Sequence, residues 1–170
     1  KKNKINASKV FAKHDENYMP ASIQKQLKAS DYWEKDYSLN NLSYEIIPKF
    51  STTNLFDNKL LITNDDIKNK ITLINFFSSW CLPCKTEHPL LMDLKNNFPE
   101  LIILGINHKD KKEDAVKFLS ANGNPYTFVG VDFDGMIGLE FGVFGLPETY
   151  LTNSSGDIIS LLMKFNLVKV

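Results

Sequence analysis

The only two cysteines of this 170-residue chain, Cys81 and Cys84, stand two residues apart in the segment FFSSWCLPCKTEHP, residues 76–89. An apolar run at 71–77 precedes them, and a helical pattern follows. The first turn of a helix carries unpaired N–H groups and a partial positive charge, so a thiol there loses its proton more easily. Thiolate is the reactive form of cysteine. We therefore predict that Cys81 attacks a disulfide and that Cys84, one turn deeper and less exposed, resolves the mixed disulfide.

Two other interpretations of the pair are a metal site and a structural disulfide. Zinc takes four ligands, and the chain adds only His14, His88 and His108, with no second C-x-x-C and no H-x-x-x-H. A disulfide across so short a loop restricts little chain entropy. A C-x-x-C beside a βαβ pattern is typical of a redox site. The redox couple is favoured, and a copper-binding chaperone using both cysteines and a histidine is the rival from another class.

Two neighbours of the cysteines are expected to shape the site. Pro83 lies between them, stiffens the loop and removes one backbone donor. Trp80 directly precedes Cys81 and offers a flat apolar surface beside the sulfur, while part of its ring is expected in the core. Both are predicted to contribute to a substrate groove.

The hydrophobic pattern predicts an α/β fold with a mixed central sheet flanked by helices. Continuous apolar runs indicate strands buried on both faces. The order is strand, helix, strand, helix, strand, short helix and hairpin, so the sheet is parallel in its βαβ part and antiparallel at its end. The predicted strands cover 71–77, 101–107, 126–132, 148–152 and 157–163.

Three helices are predicted between these strands. In the one after the cysteines, Leu90, Leu94 and Phe98 recur at four-residue steps with Leu91 beside them, and Pro89 is expected to kink it. The next helix has a capping pattern, with Asp110 as cap and Glu113 reaching back, and it ends at Gly123. Its inward residues are predicted to be Ala115, Phe118 and Leu119. A short, glycine-weakened helix is expected at 134–142.

The composition argues against nucleic-acid partners and membrane spans, and it indicates where the folded domain begins. Twenty basic residues balance 20 acidic ones, so the chain lacks the basic field that nucleic-acid binding needs. The sequence contains no run of about 18 apolar residues, the length that a membrane-spanning helix needs. Residues 1–45 are polar and are predicted to be an N-terminal extension with a short helix near residues 20–33. Residues 46–170 are predicted to form the domain.

Longer segments resemble a known family. INFFSSWCLPCKTEHPLL resembles the active-site segment of thioredoxin-like proteins. The segments GINHKD, ANGNPY and VGVDFDGMIGLEFGVFGLPETYLTNSSGDI closely resemble the cytochrome c maturation thiol reductases of the CcmG/DsbE family, over about residues 45–160. The resemblance implies a thioredoxin-like fold and a periplasmic thiol:disulfide oxidoreductase that needs no haem, flavin or metal. A general reductase of the TlpA or ResA type is the nearest alternative.

The resemblance also implies partners and a location. Family members face the periplasm, are anchored in the inner membrane, and keep the haem-binding cysteines of apocytochrome c reduced. The expected partners are apocytochrome c or another cytochrome c assembly thiol protein, and a membrane electron donor of the DsbD type. The chain begins at Lys1, so we expect membrane attachment only through an anchor that precedes it.

Residue roles follow by motif position. Cys81 corresponds to the nucleophile and Cys84 to the resolving thiol. Pro147 matches the cis-proline that faces the pair, and the backbone of Leu146 would pair with a substrate strand. Glu148, after the proline, matches an acidic position beside the same groove.

A second acid, Glu87, is implied to handle protons. Thioredoxins carry a buried aspartate in the strand before the motif, where this chain has Asn75. A carboxylate near Cys84 can take its proton during resolution. The alternative is that Glu87 is a solvated carboxylate that interacts favourably with the helix dipole.

The end of the chain departs from the family pattern. After GDII the chain reads SLLMKFNLVKV, with no closing helix. The apolar side chains there need cover, because a large exposed patch is a liability for a monomer. We expect the N-terminal extension, through Ile23, Leu27, Tyr32 and Trp33, to cover them. The alternatives are pairing of two chains and a weakened fold.

Overall fold

The computed structural model describes residues 45–163, and the side chains of residues 46–159. The predicted helix near residues 20–33, the covering role of the N-terminal extension and the burial of the apolar tail lie outside the described residues. These remain predictions, as does the domain division at residue 45. Within residues 45–163, no helix has both the length and the apolar character to cross a membrane.

The strands are β1 (Glu45–Ile46), β2 (Ser51–Thr53), β3 (Leu61–Thr63), β4 (Thr72–Phe77), β5 (Ile102–His108), β6 (Phe128–Asp132), β7 (Glu148–Thr152) and β8 (Asp157–Met163). A six-stranded mixed sheet forms the centre of the described region, in the order β1-β8-β7-β4-β5-β6. β4 pairs in parallel with β5, and β5 with β6, whereas β7 runs antiparallel to both β4 and β8. A second sheet pairs β2 with β3 antiparallel.

Four helices connect these strands. The helices are α1 (Asn64–Ile67), α2 (Leu82–Asn97), α3 (Lys112–Asn122) and α4 (Met136–Phe141). α2 and α3 are the crossover connections of the parallel strands β4, β5 and β6. Glycines in the left-handed region cap both ends of α4, Gly135 at φ 80° and Gly142 at φ 73°, a conformation that costs glycine little.

The predicted strands, helices and mixed pairing are confirmed, with ends that differ by up to two residues. The strands β1, β2 and β3 and the helix α1 were not predicted. Each is two to four residues long, too short for a hydrophobic period to be visible in the sequence.

The structure shows which face of α2 is buried, and it corrects the predicted cap of α3. In α2 the buried residues are Cys84, His88 and Leu91, whereas Leu90 and Phe98 are exposed. The helix begins at the cysteine loop, which sets its phase, so residues at three- and four-residue steps from Cys84 face the sheet. Asp110 is not the cap of α3, because Lys111 holds that position without a side-chain hydrogen bond. The predicted inward residues of α3 and its end at Gly123 are confirmed.

β4 lies at the centre of the core and positions the site. All six of its residues are buried, and successive side chains point to opposite faces of a strand. Ile74 and Phe76 therefore pack into the cluster that contains Phe141 and Tyr150. On the other face, Leu73 and Phe77 pack into the cluster of α2, α3 and the cysteines; the latter cluster also contains Leu91, Phe118 and Tyr126.

Candidate active site

The cysteine pair lies where β4 ends and α2 begins, as predicted. Cys81 and Cys84 form a disulfide with an S–S distance of 2.08 Å and a Cα–Cα distance of 5.3 Å. Cys81 is the N-cap of α2, and its Sγ accepts a hydrogen bond from the backbone N–H of Cys84 at 3.1 Å. The same N–H would stabilise a thiolate at Cys81 in the reduced protein, together with the positive end of the helix dipole.

The expected difference in exposure between the two cysteines is wrong for this oxidised state. Cys81 is 3% exposed and Cys84 is 4% exposed. The disulfide places both sulfurs in one buried cluster, so neither is shielded more than the other. The asymmetry between the two therefore comes from helix position, since only Cys81 occupies the cap.

Trp80 lies on the surface beside this pair. Its side chain is 61% exposed, so the predicted core role of its ring is wrong. The indole N–H donates to the carbonyl oxygen of Lys109 at 3.0 Å, which holds the ring against the loop after β5. Trp80 thus presents an apolar wall next to Cys81, while Pro83 is half-buried in the first turn of α2.

Asp110 anchors the loop that carries Trp80 and Cys81, a role that sequence reasoning missed. Its buried carboxylate accepts hydrogen bonds from Ser79 N at 2.6 Å, Ser79 Oγ at 2.8 Å, Asn107 Nδ2 at 2.9 Å and Lys111 N at 2.9 Å. Two of these bonds tie Ser79, two residues before Cys81, to the end of β5. A capping pattern in the sequence indicated a role for Asp110, but no local pattern indicated its partner Ser79, which lies 31 residues earlier.

We expect Asp110→Asn to lower the free energy of unfolding by about 2 kcal/mol. The substitution keeps the shape but introduces an amide NH₂, and all four groups around Asp110 face it with donors. Urea unfolding of the oxidised protein measures the loss. Asp114→Asn, at an exposed position in the first turn of α3, is the matched control and should cost much less. Equal losses in the two variants would contradict the anchoring role.

Glu87 takes part in a chain of hydrogen bonds that joins α2 to β4 and to the loop before β6. Its Oε2 accepts from Asn75 Nδ2 at 3.2 Å, and the same NH₂ donates to Thr149 Oγ1 at 2.9 Å. The other end of the amide, Asn75 Oδ1, accepts from the hydroxyl of Tyr126 at 2.8 Å. Glu87 is half-buried. Burial raises its pKa above the ordinary value of 4.5, and the hydrogen bond from Asn75 opposes that rise.

This environment argues against the interpretation of Glu87 as a freely solvated carboxylate. Its position three residues after Cys84 places the two side chains on the same face of α2. A carboxyl group with a raised pKa is closer to the working range of a proton acceptor than an exposed glutamate. The geometry therefore permits the predicted exchange of a proton with Cys84.

The predicted groove residues around Pro147 differ in how deeply they are buried. The Leu146–Pro147 peptide bond is cis, as the family resemblance implied. Pro147 is buried, whereas Leu146 is half-buried and packs against the core clusters on both faces of the sheet. Phe144, two residues before Leu146, is 77% exposed and was not predicted as a site residue.

Glu148 is buried, which corrects its expected place in the wall of the groove. It is 3% exposed, and its Oε2 accepts from the backbone N–H of Phe144 at 3.1 Å. Its Oε1 lies 3.1 Å from the hydroxyl of Tyr150, which also donates to the carbonyl oxygen of Phe141 at 3.0 Å. Burial raises the pKa of Glu148, and the hydrogen bonds it accepts oppose the rise. The side chain thus supports the 144–147 loop from below.

We expect Glu148→Gln to raise the free energy of unfolding by about 1 kcal/mol near neutral pH. The pKa of Glu148 in the folded state lies above the ordinary 4.5. As pH rises from 4.5 through this folded pKa, ionisation of the buried carboxyl group lowers the stability of the fold. In the variant, the amide oxygen accepts from Phe144 N, and the NH₂ donates to the Tyr150 oxygen. Chemical denaturation at neutral pH and at pH values below 4.5 measures the gain, which should vanish in acid. Glu140→Gln, at an exposed position, is the control; a loss of stability at neutral pH would contradict this account.

The histidines considered as metal ligands have structural partners. His88 is buried, and its Nε2 lies 3.0 Å from the carbonyl oxygen of Gly123, which links α2 to the end of α3. Burial lowers its pKa. His108 pairs through Nδ1 with the buried Asp132 at 2.6 Å. His14 lies outside the described residues. Within residues 45–163, no three His, Cys, Asp or Glu side chains are grouped as a metal site would need.

The fold and the site together define a thioredoxin-like domain with a disulfide at the start of the helix that follows its central strand. The sequence pattern of the AhpC/TSA family matches residues 45–160, and the chain belongs to that family. This confirms the predicted fold class for the described residues. The predicted lack of a closing helix concerns residues outside them.

Curated relatives carry the names that the resemblance suggested. The chain is 45% identical over 98 residues to the thiol:disulfide interchange protein CycY of Rhizobium leguminosarum bv. viciae, covering 58% of this chain and 52% of the relative. It is 43% identical over 99 residues to HelX of Rhodobacter capsulatus, covering 58% and 55%. It is 37% identical over 114 residues to DsbE of Escherichia coli K12, covering 66% and 60%. The chain thus matches between half and two thirds of the length of these relatives.

Solved structures support the fold. A thiol-disulfide oxidoreductase from Bacteroides fragilis superposes with a TM-score of 0.64 at 20% identity, over 73% of this chain and 94% of that chain. A secreted Mycobacterium tuberculosis disulfide oxidoreductase homologous to E. coli DsbE gives a TM-score of 0.62 at 20% identity, over 69% and 84%. At this identity the likeness concerns the fold alone.

Proposed function

We propose that this protein is a thiol:disulfide oxidoreductase that works as a reductant. The observation that carries the proposal is the Cys81–Cys84 disulfide at the N-terminus of α2, with the N–H of Cys84 directed at Cys81 Sγ. This arrangement favours a reactive thiolate at Cys81 and places a resolving thiol within bonding distance. The names of CycY, HelX and DsbE as thiol:disulfide interchange proteins support the same activity.

The reaction passes two electrons to the target disulfide. The Cys81 thiolate attacks one target sulfur, which forms a mixed disulfide and releases the other target sulfur as a thiolate. Cys84 then loses its proton to Glu87 and attacks Cys81 Sγ, which restores the Cys81–Cys84 disulfide and releases the second target thiolate. The oxidised protein is reduced again by a thiol donor.

The finer proposal is a role in cytochrome c maturation. In it, the targets are the haem-binding cysteines of apocytochrome c or a thiol protein of the assembly system, and a DsbD-type membrane protein supplies the electrons. The protein works in the periplasm and is tethered to the inner membrane by an anchor. The support is the similarity to DsbE, CycY and HelX, together with the resemblance of residues 123–149 to the maturation reductases.

The proposed substrate groove runs beside the disulfide. Trp80 and Pro83 form one side, and the backbone of Leu146 and Pro147 forms the other, where an extended target segment adds as a strand. The exposed ring of Phe144 extends this second side. Glu148 acts only indirectly, since its buried side chain holds the loop.

The test measures the reduction potential of the Cys81–Cys84 couple and the rates of reduction of two peptides. One peptide carries an oxidised C-x-x-C-H segment and the other an unrelated disulfide of similar size. We expect a reducing potential and a clear preference for the first peptide. A potential near the DsbA value of about −120 mV would overturn the reductant role. Equal rates would favour the general TlpA- or ResA-like reductase, and tight stoichiometric Cu(I) binding without reduction would favour the copper chaperone.

A further inference from the structure

The hydroxyl of Tyr126 is the far end of the hydrogen-bond chain that reaches Glu87 through Asn75. We propose that Tyr126 is a positioning residue that fixes the orientation of the Asn75 amide and thereby sets the proton affinity of Glu87. The inference rests on the proposed function, in which Glu87 accepts the proton of Cys84. It adds to that function a residue whose sequence position, 39 residues beyond Glu87, gives no sign of the connection.

The packing of Tyr126 leaves its hydroxyl little freedom. Its ring stacks on Phe77 with centroids 4.8 Å apart and planes inclined by 22°. On β5, Gly105 faces the same ring, and a Cβ added there would lie 2.8 Å from ring carbons. Gly105 is also the residue of β5 in register with Asn75 of β4. The absence of a side chain at Gly105 therefore lets the ring approach the sheet and place its hydroxyl at the Asn75 amide.

The amide has two possible orientations, and Tyr126 distinguishes them. A tyrosine hydroxyl has one proton to donate, whereas an amide has an accepting oxygen and a donating NH₂. In the observed orientation the hydroxyl donates to Asn75 Oδ1 at 2.8 Å. Burial raises the pKa of Tyr126 well above its ordinary value, and the negative charge of Glu87 raises it further, so the hydroxyl keeps its proton. A rotated amide would turn NH₂ toward it and leave that buried proton without an acceptor, which is costly.

The orientation of Asn75 determines which form of Glu87 is stabilised. With the NH₂ toward Glu87, as observed at 3.2 Å, the amide stabilises the ionised carboxylate. With the oxygen in that place, it would accept a hydrogen bond only from the protonated acid and would repel the carboxylate. Loss of the Tyr126 hydroxyl weakens the preference for the first orientation, so the pKa of Glu87 should rise.

Few other groups compete for control of Glu87. Opposite Glu87 lie the amide of Asn75 on β4, which is neutral, and, beyond it, the phenol of Tyr126 in the loop before β6, which stays protonated. On its own helix, the titratable group on the same face is Cys84, three residues earlier, and it is held in the disulfide. Among the described side chains, residues 46–159, no lysine nitrogen lies within 4.0 Å of a Glu87 oxygen, since the one pair at such a distance is His108 Nδ1 with Asp132 Oδ2.

The experiment compares the carboxyl titration of Glu87, followed by carbon-13 NMR, in the oxidised wild-type chain and in Tyr126→Phe. The spectrum of Glu87→Gln assigns the signal. We expect the midpoint to rise by about half to one pH unit in Tyr126→Phe. The pH profile of disulfide reduction should shift upward by the same interval. Thr152→Val is the control, since it removes another buried hydroxyl that bonds the carbonyl oxygen of Thr72 at 3.2 Å, and it should leave the midpoint unchanged.

A second pair of variants tests the route through the amide. Asn75→Leu removes the donor to Glu87 and should raise the midpoint by itself, and adding Tyr126→Phe to it should cause no further rise. A further rise in the double variant would contradict the route through the amide. An unchanged midpoint in Tyr126→Phe, a fall, or an equal rise in Thr152→Val would overturn the proposal. If the wild-type chain reduces no disulfide, the proposed function fails, while the NMR titration still decides the role of Tyr126.

Discussion

Cys84→Ser should accumulate a stable mixed disulfide through Cys81 and lose at least about 1,000-fold in the rate of disulfide reduction. A serine hydroxyl cannot attack Cys81 Sγ to form a disulfide, so the reaction stops after its first step. The buried Cys84 side chain lies within the first turn of α2, and a hydroxyl there has nearly the same size. Mass spectrometry of the reduced variant, mixed with a disulfide peptide, measures the covalent adduct.

Cys81→Ser is the matched control for this experiment. It also abolishes turnover, but it should form little adduct, because Cys84 is inside the helix and lacks the N-cap position that stabilises a thiolate. Circular dichroism of both variants in the reduced state checks that the fold is retained. Adduct formation in Cys81→Ser and not in Cys84→Ser would reverse the assignment of attacking and resolving cysteine.

Glu87→Gln should lower the rate of disulfide reduction by about 100-fold and flatten its pH dependence between the ordinary and the raised pKa of Glu87. In the wild type the rate should rise with pH through this interval, because only the ionised carboxylate accepts the proton of Cys84. Burial places the upper end above 4.5. The glutamine oxygen can still accept from Asn75 Nδ2, so the local packing is kept. Stopped-flow measurements of the resolution step across pH provide the test.

Stability separates this chemical effect from damage to the fold. Because burial raises the pKa of Glu87 in the folded state, the contribution of Glu87 to stability is greatest in acid and falls as pH rises through that pKa. Glu87→Gln should therefore unfold at an equal or higher denaturant concentration near neutral pH. Glu113→Gln is the control, because Glu113 is also a helical glutamate but is exposed. Proton transfer by Glu87 would be contradicted if disulfide reduction by Glu87→Gln were slow but kept the pH dependence of the wild type. An equal loss of rate in Glu113→Gln would contradict it as well.

The sequence was sufficient for the five longer strands of the described domain, the helices α2, α3 and α4, and the mixed pairing of the sheet. The apolar run of β4, the helix ending at Gly123 and the hairpin of β7 and β8 are local patterns, and their order restricts the topology. The C-x-x-C motif at the strand–helix junction was readable for the same reason, since the motif and both elements are contiguous in the chain. The buried face of α2 could not be predicted in this way, because the four-residue spacing of Leu90, Leu94 and Phe98 is compatible with more than one face of the helix.

The surroundings of the site depended on contacts between distant parts of the chain. Asn75, Glu87 and Tyr126 were individually visible, yet only the pairing of β4 with β5 and the glycine at position 105 bring the phenol to the amide. Asp110 looked like a helix cap and instead holds Ser79. Glu148 looked like a groove residue and is buried beneath Phe144.

Sequence by itself thus determined which atoms are available for redox chemistry, because reactivity and helix-start position are local properties. The tertiary structure decided which polar groups are removed from water and which donors they meet. Burial and hydrogen-bond partners are set by residues tens of positions apart, and these set the direction of the pKa shifts of Glu87 and Glu148.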